Sequence, residues 1–199
     1  MLGVIVLIVV LIAGGSYNRL VRLDQQVNQT WAQVQNDYQR RADLIPNLVS
    51  TVSGAANFEK STLTEVVNAR ASVGQVKIDP SKAPTDANQL AQFDKAQGQL
   101  GSALSHLLVV VERYPDLKAN ANFLALQAQL EGTENRIAVA RRDFNVATQG
   151  YDSAIKSFPA VFYAGACGFH EKPYFTAAPG AETAPKVQFN FGDNGASNK

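Results

Sequence analysis

The sequence predicts an all-α protein, in which an antiparallel bundle of about four long helices continues from one N-terminal transmembrane helix and ends in an irregular tail. Two observations lead to this prediction. Apolar residues recur every three or four positions through most of the chain, as they do on a helix that buries one face. In addition, the chain begins with an apolar stretch in which no charged side chain appears before Arg19.

The composition fits one domain and gives little material for metal or cofactor binding. The chain has 199 residues, 46% of them hydrophobic, and a formal net charge of +1. Nucleic-acid-binding domains concentrate positive charge, so this near-neutral balance argues against such a partner. The single cysteine, Cys167, excludes an intrachain disulfide framework. His106 and His170 are the only histidines, and their separation in the sequence disfavours a zinc site.

Residues 1–18 are predicted to form a membrane anchor. As a helix, this uncharged segment would be about 27 Å long, close to the ~30 Å thickness of the hydrocarbon layer. An uncleaved anchor is favoured over an export signal cleaved before Ser16, because no Lys or Arg precedes the apolar run. The residues assigned to the membrane segment are Leu2, Val4, Ile5, Val6, Leu7, Ile8, Val9, Val10, Leu11 and Ile12.

The charges beside this segment predict its orientation. Only the α-amino group precedes the apolar run, whereas Arg19 and Arg22 follow it. Because positively charged flanks stay in the cytoplasm, we expect the N terminus outside and the bundle in the cytoplasm. A bundle on the outer side of the membrane is the alternative.

Residues 19–158 are predicted to form the bundle, and its first helix is expected to run on from the anchor without a break. Pro46 lacks an amide hydrogen and should kink this helix rather than reverse it, because the apolar spacing continues beyond the proline. A corner is expected at residues 54–58. The apolar positions are Leu20, Leu23, Val27, Trp31, Val34, Tyr38, Ile45, Leu48 and Val52.

Two further helices are predicted before Pro115. Thr62 and Glu65 have the spacing of a capping box that would open the second helix, and Gly74 would cap its end. The third helix follows a connection that contains prolines. Its inward positions alternate at three and four, and they are Leu90, Phe93, Gln97, Leu100, Leu104, Leu107, Val111 and Tyr114.

The most regular pattern lies in residues 117–158, the predicted fourth helix. It would be roughly 60 Å long, so helices of similar length must lie alongside it. Two sets of residues each recur at a spacing of seven, offset by three. They are Phe123, Leu130, Ile137, Phe144, Tyr151 and Phe158, and Leu126, Thr133, Ala140, Ala147 and Ala154. Four glycines within helical patterns, Gly98, Gly101, Gly132 and Gly150, are expected where helices approach closely.

The helical period stops after Phe158. Residues 159–176 are rich in aromatic residues, glycines and prolines, and they are expected to pack on the end of the bundle. Residues 177–199 are expected to be mostly a flexible tail. Within this tail, Val187, Phe189 and Phe191 alternate as in a strand, although a single strand is marginal.

One polar cluster is predicted inside the bundle. Arg41 stands at an inward position of the first helix, seven residues from both Val34 and Leu48, and a buried guanidinium needs carboxylate partners. We hypothesise an ion-pair network that fixes helix register. The alternative is that these charges flank the interface and reach solvent through their long stems. The members of the network would be Arg41, Asp43, Glu131, Glu134 and Arg141.

No catalytic, cofactor-binding or metal site is predicted. His170 and Glu171 do not continue into the spacing of a helical zinc protease, and no glycine-rich phosphate loop is present. Cys167 could be a nucleophile, but no base lies near it in the sequence, so it is interpreted as a small buried or half-buried thiol. His106 lies off the inward face of the third helix and is expected at the surface.

Four runs of sequence resemble the bacterial LemA family. They are SYNRLV at 16–21, RRADLIPNLV at 40–49, YPDLKAN at 114–120 and LEGTENRIAVARRDFN at 130–145. The resemblance extends from residue 17 to about residue 175. It implies a single-pass protein of the bacterial inner membrane with a bundle of long helices, and it supplies no enzyme activity. The chain departs from the family in lacking basic residues before the apolar segment.

These features favour a non-enzymatic scaffold or adaptor that is anchored in the lipid bilayer and self-associates through its bundle. Another membrane or envelope protein is a further candidate partner. An envelope stress sensor, in which the kinked first helix passes movement to the bundle, is the alternative. A hydrolase or redox enzyme that uses Cys167 or His170 is the remaining alternative.

Overall fold

The structure is a computed structural model that describes residues 2–55, 58–76, 78–79 and 82–176, without the side chains of residues 2 and 5–13. Within these ranges all regular structure is helical, which confirms an all-α fold and is consistent with the predicted helical bundle. The elements are α1 (Leu2–Ser53), α2 (Lys60–Gln75), α3 (Ala87–Val111), α4 (Pro115–Lys118), α5 (Ala121–Ile155) and a 3-10 turn (Ala160–Phe162).

α1 is a single helix of 52 residues that joins the N-terminal apolar run to the bundle. It continues across Pro46 to Ser53, so the chain does not reverse at the proline. The buried side chains of Ile45 and Leu48, on either side of Pro46, offset the ~3 kcal/mol penalty of an interior proline. Among the residues that the structure describes, none of the helices combines the length and hydropathy that a membrane crossing requires.

The bundle contains two apolar cores, one after the other along α1. α1 packs against α5, α2 packs against α3, and α2 also contacts α1. The proximal core surrounds Trp31 and includes Leu20, Val27, Val34, Tyr38, Phe93, Ile137, Phe144 and Tyr151. The distal core surrounds Leu48 and includes Ile45, Val52, Val66, Leu100, Leu107, Phe123 and Leu130.

The seven-residue spacing in the predicted fourth helix identifies the buried face of α5, except at its C-terminal end. Phe123, Leu130, Ile137, Phe144 and Tyr151 are all buried. Phe158, the sixth member, is exposed, because α5 ends at Ile155 and the backbone leaves the helix before reaching it. The predicted inward position of Phe158 is therefore wrong.

Three predicted helix boundaries are corrected by the structure. α2 begins at Lys60, and Thr62 is a buried residue inside the helix rather than its cap. Gly74 lies inside α2, which ends at Gln75. The predicted fourth helix is two helices, because the Asn120 side chain accepts hydrogen bonds from the amides of Asn122 and Phe123 and starts α5 anew.

The helical glycines do not mark close helix contacts. A β-carbon added at Gly98, Gly132 or Gly150 would meet no atom within 4 Å, and at Gly101 the nearest atom would be Arg41 Nη1 at 3.9 Å. Gly98, Gly132 and Gly150 face open space, and at Gly101 a methyl group would make only an ordinary van der Waals contact. The predicted close approach at these glycines is wrong.

Replacing Gly150 with alanine is therefore expected to stabilise the protein. Alanine loses less backbone entropy on folding than glycine in a helix, and no neighbour opposes its methyl group, so the free energy of unfolding should rise by about 0.5–1 kcal/mol. Urea denaturation of the full-length protein in mild detergent, followed by far-ultraviolet circular dichroism, measures this difference. A lower stability in Gly150→Ala would show that the position is constrained.

The segment after α5 packs along the bundle as well as at its end. Phe175 lies in the proximal core, stacked on Trp31 with ring centroids 6.2 Å apart. The side chain of Asn145 holds the backbone of Phe175 by donating to its carbonyl and accepting from its amide. Residues 169–176 thus extend back beside α5 and close one side of the core. Residues 177–199, including the strand-like alternation, lie outside the described part of the chain.

Candidate functional site

A polar layer separates the proximal core from the distal core. α1 places Arg41 between Tyr38 and Ile45, and its side chain is almost fully buried. α3 places buried Gln97 at the same level, and α5 contributes buried Thr133. α1, α3 and α5 therefore each have a polar residue at this level, whereas their inward positions in the two cores are mostly apolar.

Arg41 makes three hydrogen bonds from its terminal nitrogens. Its Nη2 atom donates to the side-chain oxygen of Gln97 at 2.6 Å and to the backbone carbonyl of Gln97 at 3.0 Å. Its Nη1 atom donates to Glu134 Oε2 at 2.9 Å. The buried Nε atom has no hydrogen-bond partner in the described structure. The guanidinium is held in place by its two terminal nitrogens, and its Nε donor is left unused.

The structure brings together only some of the residues assigned to the ion-pair network. Arg41 and Glu134 form an ion pair, whereas Arg141 pairs with Asp94 of α3 at 2.9 Å. Asp43 accepts a hydrogen bond from Gln39 and Glu131 accepts one from Gln127. Asp43 lies two residues from Arg41, about 200° around the helix, so it faces away from the layer. That the layer fixes helix register stays a prediction.

A groove lies beside this polar layer, between α3 and α5. Its volume is about 670 Å³, within the range of roughly 300–1,000 Å³ typical of small-ligand sites. Glycines and serines of α3 form one wall, and charged residues of α5 form most of the other. The lining residues are Tyr38, Arg41, Gln97, Gly98, Gly101, Ser102, Leu104, Ser105, Leu108, Leu130, Glu131, Glu134 and Arg141.

The charged side chains that line the groove are largely engaged with one another or with neighbouring residues. Its cations, Arg41 and Arg141, are both engaged by carboxylates. Burial raises the pKa of the Tyr38 hydroxyl, so this phenol stays protonated at neutral pH. The serines that line the groove have no histidine beside them in that lining. The described residues also contain no group of three or more His, Cys, Asp or Glu placed to hold a metal ion.

The remaining candidate residues lie at the surface. Cys167 is exposed, so its interpretation as a buried or half-buried thiol is wrong. It lies in a turn at Gly165 to Gly168, where Gly168 has a φ of +82° and the chain then returns to the bundle at Phe169. His106 is exposed as predicted, with Nδ1 2.9 Å from Glu65 Oε2. His170 is also exposed.

A second buried polar cluster was not predicted from the sequence. Asp152, buried on α5, accepts from the backbone amide of Lys172 at 3.2 Å and from the Tyr174 hydroxyl at 2.9 Å. The Lys172 ammonium, also buried, lies 2.7 Å from Asp24 of α1. Desolvation, with the charges of Asp24 and Asp152, raises the pKa of Tyr151 to about 12. This cluster fastens the C-terminal segment to two helices.

Desolvation and the hydrogen bond to Asp152 likewise raise the pKa of Tyr174 to about 12. The sequence offered little signal for this cluster, because its members lie on α1, on α5 and in an irregular segment. The nearest indication was Asp152 itself, an acidic residue directly after inward-facing Tyr151. Its partners could not be named before the segment was placed beside α5.

Comparison with known proteins gives one family. The sequence model described as the LemA family matches residues 30–189. Magnetosome protein MamQ 2 of Paramagnetospirillum magneticum is 26% identical over 186 residues, covering 84% of this chain and 67% of the relative. Magnetosome protein MamQ of Magnetospirillum gryphiswaldense is 25% identical with the same coverage. Protein LemA of Metamycoplasma hominis is 24% identical over 144 residues, covering 72% of this chain and 61% of the relative.

Proposed function

This chain belongs to the LemA family, and from that premise we propose that it is a non-enzymatic, single-pass membrane protein that acts as a scaffold or adaptor through its helical bundle. The observation that carries the proposal is the continuity of α1 from Leu2 to Ser53. One rigid element contains both the N-terminal apolar run and Arg41 at the centre of the bundle. A bundle built in this way holds a fixed position relative to its anchor.

The support for the anchor comes from the sequence. The structure does not describe the side chains of residues 5–13, so it gives no packing evidence for this segment. The run before Arg19 is uncharged and long enough to span about 27 Å as a helix. Arg19 and Arg22 favour a bundle on the cytoplasmic side of a bacterial inner membrane. The groove supports a binding role, and the names of the relatives, magnetosome protein and Protein LemA, name no reaction.

Self-association is part of the proposal. Gly14 and Gly15 lie on α1 just after the apolar run, and an added β-carbon at either would meet nothing within 4 Å. Small residues near a membrane helix let a second helix approach closely, and van der Waals packing then favours pairing. The mass of the detergent-solubilised protein would reveal a single chain if this part of the proposal is wrong.

The anchor can be tested by placing charge in the apolar run. We expect wild type to stay in the membrane pellet after an alkaline wash, and Leu7→Asp/Val9→Asp to lose this retention. Each acidic residue at the centre of a membrane helix costs about 2.5–3.5 kcal/mol. The matched control is Val139→Asp/Val146→Asp, which adds the same charge at exposed positions of α5. Extraction of the wild type by the wash, or full retention of the Leu7/Val9 variant, would contradict the anchor.

Labelling of Cys167 in whole cells tests on which side of the membrane the bundle lies. It is the single cysteine of the chain and it is exposed, so a membrane-impermeant thiol reagent can reach it from one side only. We expect labelling only after the cells are opened. Labelling in cells whose inner membrane is intact would place the bundle on the outer side.

A further inference from the structure

An exposed apolar patch follows the end of α5. Phe158 and Phe162 are each 80% exposed, and Val161 in the same turn is 53% exposed. The two phenylalanine rings contact each other edge to face, with centroids 6.1 Å apart, so they form one surface. Neighbouring exposed aromatic residues are costly in water and mark a contact surface. Together, Phe158, Val161 and Phe162 make up the aromatic patch.

The fold fixes this patch in its outward position. Ala160 and Ala164 are buried in the proximal core, on the inner side of the turn. The backbone is closed by hydrogen bonds, including those from the Phe162 amide to the Pro159 carbonyl and from the Ala164 amide to the Ala160 carbonyl. With the small residues buried, the large ones can only face outward. The patch is therefore a feature of the folded turn.

The antiparallel register of α1 and α5 indicates how far along α1 the aromatic patch lies. Arg41 contacts Glu134. Ten residues earlier on α1 and ten residues later on α5, Trp31 contacts Phe144, as expected for antiparallel helices. Leu20 and Ile155 lie in the same core, in keeping with this register. The turn that follows Ile155 itself contacts α1.

The chain reaches the level of Leu20 at Ile155, and the turn that carries the aromatic patch follows and contacts α1, which puts the patch near Tyr17. The Tyr17 ring is itself half exposed and contacts Phe169, 5.5 Å between centroids. Tyr17 lies four residues after Ala13, the last residue of the apolar run, a distance of about 6 Å along the helix. The patch thus lies where the proposed anchor would leave the hydrocarbon layer.

The charges around this level fit the same location. Arg19 and Arg22 are exposed on α1 directly beyond Tyr17. Along α1 the apolar residues are followed by one aromatic residue, Tyr17, and then by the two arginines, which is the order found across a membrane interface. Tyrosine is favoured at the headgroup level, phenylalanine can bury at the boundary between headgroups and acyl chains, and arginine can reach lipid phosphates.

We propose that Phe158, Val161 and Phe162 insert into the boundary between headgroups and acyl chains beside α1, so that the bundle contacts the bilayer at a second point. The partner of this patch is a lipid surface. This inference rests on the proposed membrane anchor. The second contact opposes tilting of the bundle about α1 and keeps one side of the bundle facing the membrane.

The test places a fluorescent label in the full-length protein and measures contact with lipid. In a Cys167→Ser background, an environment-sensitive dye is attached to Val161→Cys, Val146→Cys or Val6→Cys. Each protein is reconstituted into vesicles of phosphatidylethanolamine and phosphatidylglycerol that carry spin-labelled lipid. Position 146 is the control, because Val146 is an exposed residue of α5, further from the anchor.

We expect the dye at position 161 to shift to shorter wavelength and to be quenched by lipid labelled near the headgroup. The dye at position 146 should remain open to a water-soluble quencher. Adding Phe158→Ser and Phe162→Ser should remove lipid quenching at position 161, while Val139→Ser should not. An unchanged thermal midpoint would show that the serine variant is folded, as expected for side chains that contact mainly solvent.

The dye at Val6 separates failure of this inference from failure of the anchor. Lipid quenching at position 6 but not at position 161 would overturn the second membrane contact and leave the anchor in place. Quenching at neither position would overturn both. If position 161 were shielded from water without lipid quenching, and only at high protein concentration, the patch would be a contact between copies of the chain and the inference would be wrong.

Discussion

Replacing Trp31 with alanine is expected to lower the free energy of unfolding by about 3–5 kcal/mol. Trp31 is fully buried in the proximal core. The centroid of its ring lies 5.5–6.2 Å from the ring centroids of Phe144, Phe93 and Phe175. These residues belong to α5, α3 and the C-terminal segment. The substitution therefore leaves a cavity where three parts of the chain meet α1.

Small domains are stable by only about 5–15 kcal/mol, so this loss should shift the urea midpoint strongly. The measurement is urea denaturation of the full-length protein in mild detergent, followed by far-ultraviolet circular dichroism. Val146→Ala, at an exposed position of α5, is the matched control and should change stability by less than about 0.5 kcal/mol. A loss of under about 1 kcal/mol in Trp31→Ala would mean that the three parts do not share one core.

Replacing Arg41 with alanine is expected to cost about 2–3 kcal/mol. The change removes the long side chain of a residue that is only 3% exposed, and it removes the guanidinium that donates to the side-chain oxygen of Gln97. Removing one member of a fully buried ion pair costs about 3–5 kcal/mol because a buried charge remains. The charge left here is Glu134, whose side chain is 62% exposed and can be hydrated, so the loss should be smaller.

Arg41→Met distinguishes the contribution of the charge from that of the packing. Methionine keeps much of the apolar stem, and apolar replacements of buried charged groups are often neutral or stabilising, so this variant should be more stable than Arg41→Ala. Arg142→Ala is the control, because that arginine is exposed on α5. The same denaturation experiment applies, and equal stability of wild type and Arg41→Ala would show that the polar layer contributes nothing to folding. Fluorescence of Trp31 in Arg41→Met reports separately whether the proximal core keeps its packing.

The sequence predicted most of the buried face of the bundle. Residues at helical spacing on α1, α3 and α5, such as Val34, Leu100 and Phe144, are buried as their periodicity indicated. This succeeds because a long amphipathic helix must bury its apolar stripe, whatever helix it packs against. The position of Arg41 within that stripe also indicated, correctly, that its guanidinium is buried.

Features that depend on neighbours in space could not be read in the same way. Gln97, which makes two of the three hydrogen bonds of Arg41, looked like an ordinary inward position of α3. Phe158 continued the sevenfold spacing but lies beyond the end of α5. Helix ends and hydrogen-bond partners depend on local competition between backbone groups and nearby side chains, and a period in the sequence does not record that competition.

The order of the residues alone indicates that the described chain is helical, which stripe of each long helix is buried, and that one arginine interrupts the stripe of the first. The packing of the helices sets which groups meet that arginine, where a groove remains between α3 and α5, and how the C-terminal segment covers Trp31. The reason is physical: helix formation and burial follow from the local order of apolar residues, whereas polar partners and open surfaces depend on distances between helices that are far apart in the chain.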